Sequence, residues 1–324
     1  MDKSLGNAFT YSKRNNLAPP LSNIEGPLNV YIWDMDETLI LLKSLLEGTY
    51  GVAIGSKDVQ KGREIGKHWE NRILQVCDDM FFYEQVENYN EPFITALRDY
   101  DDLQDLSDYD FKSDGFTAPF DDDNKRKLAY RFRTIAQKYE QGLHNIIDEG
   151  MIKLWDDLYS LTDKYADGWL SSARTLLDDI SNRNKSLTNQ LETENTADSS
   201  SAKCQNINVL VTSGSLIPSL VKCLLFRLDG LIAHENVYSS WEVGKLQCFK
   251  WIKEQFSGAE ARFCVIGDGP EECGAAEIMR WPFVKIDLHP SGSGHRFPGL
   301  TLKMLGYYMD AVYGGSESEK SEGE

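Results

Sequence analysis

No two of the six cysteines (Cys77, Cys204, Cys223, Cys248, Cys264 and Cys273) form a Cys-x-x-Cys pair or any regular framework. This removes zinc-knuckle and thioredoxin-like motifs and a disulfide scaffold. The five histidines (His68, His144, His234, His289 and His295) lack a zinc-ligand spacing and read as structural or exposed residues. Positive charge is scarce: 34 Lys and Arg against 51 Asp and Glu give a formal net charge of -17. Such a chain repels the phosphate backbone that dominates nucleic-acid affinity, so no direct nucleic-acid partner is expected. Long apolar runs are missing too. The longest, residues 216–233, is broken by Lys222, Arg227 and Asp229, which excludes a bilayer span, and the opening residues lack the apolar stretch of a secretory signal. The expected setting is intracellular, cytoplasmic and/or nuclear, with no membrane attachment. An anionic substrate would then need a local exception to the field: a metal ion, a lysine, or backbone N–H groups at a helix start.

What is present is an alternation of two periods. Leu28-Asn-Val-Tyr-Ile-Trp33 is a short run of β-formers that ends abruptly in acidic residues, as a buried parallel strand does. Four more short apolar runs occur in the last third, at residues 207–211, 237–238, 263–266 and 283–286, separated by helical segments. One helix covers residues 216–228, with Pro218 in its first turn; another carries Leu246, Phe249, Ile252 and Phe256. Strand and helix in this alternation imply a parallel sheet covered on both faces. Between them the period becomes helical: Leu128, Phe132, Ile135, Tyr139, Leu143 and Ile146 fall on one face behind a possible Asp121-Asp122-Asp123 cap. Gly150 reads as a helix-ending residue, followed by Ile152, Trp155, Leu158 and Leu161. Residues 99–110 read as a solvated acidic connection.

The expected organisation is an irregular lead-in (1–26), an α/β core (27–45 and 207–313), a helical insertion (46–181), a low-complexity disordered loop (182–206) and a flexible tail (314–324).

Chemistry is concentrated at the expected carboxyl ends of the strands. Asp34-Met-Asp-Glu-Thr38 follows the first strand, and two carboxylates two apart on a turn can converge on one metal ion. Thr212-Ser-Gly214 follows the second strand at a helix start and offers a hydroxyl and backbone donors. Lys245 begins the helix after the third. Gly267-Asp-Gly-Pro-Glu-Glu272 follows the fourth and supplies Asp268, with Glu271 and Glu272 nearby. Singly, these also fit an Asp-rich turn, a helix cap, a solvated lysine and a turn aspartate. What sets them apart is that all four stand at strand ends in this order.

That order resembles the haloacid dehalogenase superfamily. Within it the chain resembles the eyes absent family of aspartate-based protein tyrosine phosphatases, through Tyr31-Ile-Trp-Asp-Met-Asp-Glu-Thr-Leu-Ile40, Ser44-Leu-Leu-Glu-Gly48, Leu128-Ala-Tyr-Arg-Phe-Arg133, Asn208-Val-Leu-Val-Thr212, Leu216-Ile-Pro218, Gly244-Lys245 and Val265-Ile-Gly-Asp-Gly269. The likeness covers about residues 27–282, insertion included. Ser213-Gly214 stands where the animal proteins have further threonines, and the animal transactivation region has no counterpart, so the resemblance is to the compact plant homologues.

The fold so implied is a Rossmann-like parallel sheet core with an inserted helical subdomain. The implied activity is Mg²⁺-dependent hydrolysis of phosphotyrosine through an aspartyl-phosphate. Asp34 is the implied nucleophile and Asp36 the general acid and base. Thr212 and Lys245 would bind the phosphoryl oxygens. Asp34, the Asp36 carbonyl and Asp268 would hold the metal, with Glu272 in support. The implied partners are phosphotyrosine peptides or proteins. No cysteine is followed six positions later by arginine, so a thiolate phosphatase loop is absent and such an activity would run through aspartate. The alternatives are a small-metabolite phosphatase of the same superfamily and a partner-binding scaffold for a transcription factor.

Overall fold

The structure, a computed structural model, describes residues 27–191 and 204–314, with the backbone alone over 183–191. The expected lead-in, tail tip and residues 192–203 of the expected loop lie outside the described residues. Five strands, β1 (Pro27–Trp33), β2 (Gln205–Thr212), β3 (Val237–Ser239), β4 (Glu260–Gly267) and β5 (Phe283–Lys285), form one parallel sheet in the order β3-β2-β1-β4-β5. Strand side chains alternate between faces. Tyr31 and Trp33 of β1 therefore point into one apolar cluster, and Leu28, Val30 and Ile32 into another.

The second cluster is closed by Phe249 and Ile252 of a helix over Lys245–Gln255 and by Ala275 and Ala276 of one over Pro270–Met279. The first carries everything else: α1 (Lys43–Glu47), α2 (Thr49–Ile54), α3 (Val59–Met80), α4 (Tyr83–Val86), α5 (Asp122–Gln141), α6 (Glu149–Tyr165), α7 (Trp169–Leu191) and α8 (Leu216–Leu225). The two helices of the second cluster are α9 and α10, and α11 (Leu302–Tyr313) ends the described chain. Among the described residues no helix is long and apolar enough to cross a membrane.

The insertion and the segment that follows it differ from their sequence reading at several points. α7 continues to Leu191, so residues 182–191 are helical and not loop, and β2 starts at Gln205, two residues before the expected core boundary. A polar stretch costs only tenths of a kcal/mol per residue in a helix that Leu176, Leu177 and Ile180 already anchor in the core. The helix terminator is Gly142, at φ +76°, and not Gly150, which lies in the first turn of α6 behind an Asp148 cap. Leu143 and Ile146 consequently fall beyond α5. The buried face of α6 is Trp155, Tyr159, Thr162 and Tyr165, leaving Leu161 39% exposed, because the Trp155 N–H reaches the Leu225 carbonyl and Thr162 accepts the Trp69 N–H.

The acidic segment 99–110 is a largely solvent-exposed connection, as its composition implies, and two of its carboxylates tie it to α5. Asp101 pairs with Arg133 at 2.8 Å, and Asp102 accepts from the Tyr130 hydroxyl at 2.7 Å. Beside it lies Arg131, 1% exposed, whose guanidinium forks onto Asp114 at 2.8 and 3.1 Å and also donates to Gln85 and the Lys127 and Phe111 carbonyls. Removing one partner of a buried pair strands the other charge. Arg131→Met should therefore lower the stability of the fold by about 3–5 kcal/mol in a urea titration. A loss below about 1 kcal/mol would mean that Asp114 finds water or another donor.

Candidate active site

The Asp34 N–H donates to the Ile266 carbonyl at 2.8 Å, carrying the β1–β4 ladder one residue past the strand. Asp34 is thereby fixed at the carboxyl end of the central strand, where ligands bind in open α/β sheets. The chain then folds into a tight loop, with the N–H groups of Leu39 and Ile40 directed at the Met35 carbonyl. Glu37, in the left-handed region at φ +63°, is buried, and its Oε1 accepts from the Leu42 and Ser44 N–H groups at 3.1 and 3.0 Å. Thr38 is buried and its carbonyl accepts the Trp169 N–H of α7. Within Asp34-Met-Asp-Glu-Thr38, therefore, Met35, Glu37 and Thr38 hold the loop, while Asp36 keeps a 33% exposed side chain.

Lys245 opens α9 after Gly244, whose φ of +76° favours glycine. Its Nζ lies 2.5 Å from Asp34 Oδ1 and 2.7 Å from Glu272 Oε2, with the side chain 3% exposed. Glu271 accepts the Lys245 backbone N–H at 3.0 Å. Glu272 caps α10 by accepting the Gly269 N–H, and its side chain fills the space beside Gly267, where a Cβ would approach it to 2.6 Å. Gly267 is thus required for Glu272 to reach Lys245. Asp268 completes the group: Asp34, Asp268 and Glu272 each place a carboxylate oxygen within 4.8 Å of the others.

Burial pushes the Asp34 carboxyl up to about 7 despite Lys245, with Glu272 and Asp268 adding to the rise. Burial likewise raises Asp268, helped by Glu272. Glu272 goes the other way, because Lys245 and the Gly269 N–H more than offset its burial. For Lys245, burial favours the neutral amine, but the two carboxylates outweigh it and hold the ammonium charged. The ion pair is therefore felt in Lys245, whereas in Asp34 desolvation wins.

Thr212 ends β2 fully buried. Its hydroxyl oxygen accepts the Gly214 N–H at 3.2 Å and its carbonyl accepts from Ser240. The six residues singled out in the sequence thus all lie at the carboxyl edge of the sheet: Asp34, Asp36 and Asp268 on the loops, Thr212 at the end of β2, and Lys245 and Glu272 in the first turns of α9 and α10. Two contributors were missed. Lys222 of α8, noted only as an interruption of an apolar run, donates to both carboxylate oxygens of Asp36 at 2.8 Å. A single charge inside an otherwise apolar helix was the available signal. Asn90, from the insertion, accepts the Leu216 N–H that opens α8 at 2.8 Å and donates to Ser239 Oγ; nothing in its local sequence marks it.

A parallel sheet with this carboxylate and lysine cluster on its carboxyl edge is a haloacid dehalogenase-like α/β fold. The chain is 59% identical over 302 residues to Protein phosphatase EYA of Arabidopsis thaliana, covering 92% of this chain and 95% of that one. It is 33% identical over 285 residues to Protein phosphatase eya of Drosophila melanogaster (82% and 34%) and 32% identical over 294 residues to human Protein phosphatase EYA2 (86% and 50%). No family model matches. The chain belongs to the eyes absent family of protein phosphatases, and it spans nearly all of the Arabidopsis relative but half or less of the two animal ones.

The raised Asp34 carboxyl predicts a pH-dependent cost of folding without metal. A group whose pKa rises from 3.8 unfolded to about 7 folded contributes its full stability below the first value and loses it as pH climbs to the second. In EDTA, Asp34→Asn should thus melt above wild type, with a gap that widens from about pH 4 to 7 and then levels off. A gap independent of pH across that window would contradict the burial cost assigned to Asp34.

Proposed function

We propose that this chain is a Mg²⁺-dependent protein tyrosine phosphatase that works through an aspartyl-phosphate on Asp34. The observation that carries the reading is the contact of Lys245 Nζ with Asp34 Oδ1 at 2.5 Å on the carboxyl edge of the central strand. It puts a nucleophilic carboxylate beside a cation that would meet the oxygens of a phosphoryl group bonded to it.

The donor set fits a hard divalent cation. Asp34, Asp268 and Glu272 converge, and with Asp36 they set four carboxylates against the two ammonium groups of Lys245 and Lys222, a formal excess of two negative charges. Asp34, Asp268 and the Asp36 carbonyl would hold Mg²⁺, with Glu272 beside them; when bound, the ion supplies positive charge next to the phosphate oxygens.

The chain's own residues supply the remainder. An Asp34 oxygen forms the new bond to phosphorus as the bond to the tyrosine oxygen breaks, and Asp36 gives that oxygen its proton. In the second displacement Asp36 takes a proton from water as the water oxygen bonds to phosphorus, the Asp34–phosphorus bond breaks, and phosphate leaves. Lys245 and the Thr212 hydroxyl hold the phosphoryl oxygens through both steps. Splitting the reaction suits a phenolic leaving group, whose pKa of about 10 makes its departure less dependent on Asp36 than that of an alkyl alcohol. Phosphotyrosine peptides or proteins are accordingly the substrates. Four buried free cysteines, Cys77, Cys223, Cys248 and Cys264, support an intracellular setting.

The test is steady-state turnover on phosphotyrosyl peptides, an aryl phosphate, serine phosphate and sugar phosphates. Aryl esters should be preferred, EDTA should abolish activity and Mg²⁺ restore it, and Asp34→Asn should be inactive while folded. Preference for a sugar phosphate would point to a metabolite phosphatase, and full activity in EDTA or in Asp34→Asn would remove the reading.

A further inference from the structure

Lys222 stands where a lysine is costly. Eight of the ten residues of α8 are buried, and the Lys222 side chain is itself only 13% exposed. An ammonium withdrawn from water needs a compensating anion. Burial pushes the neighbouring Cys77 and Cys223 thiols up to about 12, so they remain neutral. The anion in contact with Lys222 is Asp36, 186 positions away in the chain, with both carboxylate oxygens 2.8 Å from the one nitrogen.

A nitrogen equidistant from both oxygens sits in the fork of the carboxylate and takes the lone pairs that face it. Each oxygen keeps a second lone pair on its outer side, and the Asp36 side chain as a whole stays 33% exposed. The pair therefore fixes the carboxylate without blocking it. Such fixing is needed, because Asp36 lies on a loop and not in the strand, and its negative charge is close enough to be felt at Asp268. A freely rotating Asp36 would be driven away from the other carboxylates and so from the reacting oxygens.

We propose that Lys222 is a positioning residue for the reaction, holding the Asp36 carboxyl group so that an outer lone-pair position, protonated in the first displacement and free in the second, is offered to the leaving-group oxygen and, later, to the attacking water. The proposal rests on the assignment of Asp36 as acid and base, and it adds to that site a residue contributed by the helix after β2.

A double-mutant cycle on kcat with an aryl phosphate at saturating Mg²⁺ tests it, using Lys222→Met, Asp36→Asn and the double variant, with Lys222→Arg as the conservative control. Lys222→Met should lose about 10–100-fold in kcat, part of the ~10²–10⁴ that acid–base catalysis contributes, with KM within about twofold. Lys222→Arg, which keeps the charge and the donors, should recover most of it. The double variant should be no slower than Asp36→Asn alone, because the two residues act as one unit. A double variant slower by the product of the two single losses overturns the proposal, as does a Lys222→Met with wild-type kcat. Should Lys222→Met fail to fold, Lys222→Gln enters the cycle in its place under the same criteria. An Asp36→Asn variant with wild-type kcat removes the acid–base assignment itself and the proposal with it; loss in Asp36→Asn without loss at Lys222 removes the proposal alone.

Discussion

Four carboxylates and two ammonium groups are held at one edge of the sheet, and the geometry of the molecule is largely the solution to keeping them there. Carboxylates this close repel one another and oppose folding, so each must be pinned by something stronger. Lys245 does most of this, bridging Asp34 and Glu272 from the first turn of α9. The parallel sheet makes the arrangement possible. With β2 and β4 on either side of β1, Trp33 is opposite Leu210 and Ile266, so Asp34 and Asp268, just beyond their strands, and Thr212, the last residue of β2, emerge on the same edge. An antiparallel neighbour would have sent one of these loops to the other end.

The helical insertion is bound to this edge more closely than a covering subdomain needs to be. Trp169 of α7 donates to the Thr38 carbonyl of the aspartate loop, Asn90 caps α8, and the Pro92 carbonyl accepts the Ser239 N–H of β3. Asn208 in the middle of β2 accepts from Trp33 and donates to the Leu177 carbonyl, linking strand, neighbour and α7 at one buried point. These are neutral hydrogen bonds, made to loop backbones, to the start of α8 and, at Asn208, between strands and helix. They stiffen the loops that carry the charges, which is how the fold offsets a destabilising cluster without adding further charge to it.

The strands and the motif residues were legible because both are local signals: short apolar runs bounded by acidic or glycine-rich turns, with Asp34, Thr212 and Asp268 at their ends and Lys245 at the start of the helix after the third. What the sequence concealed were partners far apart in the chain. Lys222 reads as a flaw in an apolar helix until Asp36 is brought beside it, and Arg131 as one more charge on α5 until Asp114 closes over it. Element boundaries failed for a related reason. Gly150 reads as a terminator because glycine often ends helices, but Gly142 holds the left-handed φ, and tertiary anchoring carries α7 through polar residues whose composition suggests a loop.

The central claim is that a phosphoryl group is bonded to Asp34 during turnover. The most direct measurement is acid quenching of the enzyme during hydrolysis of an aryl phosphate, followed by borohydride reduction of any acyl phosphate and peptide mass spectrometry. Reduction converts an aspartyl-phosphate into homoserine, and the account predicts that residue at position 34 and not at position 36 or 268. Modification at another residue, or an unmodified Asp34 in an enzyme trapped while turning over, would contradict it.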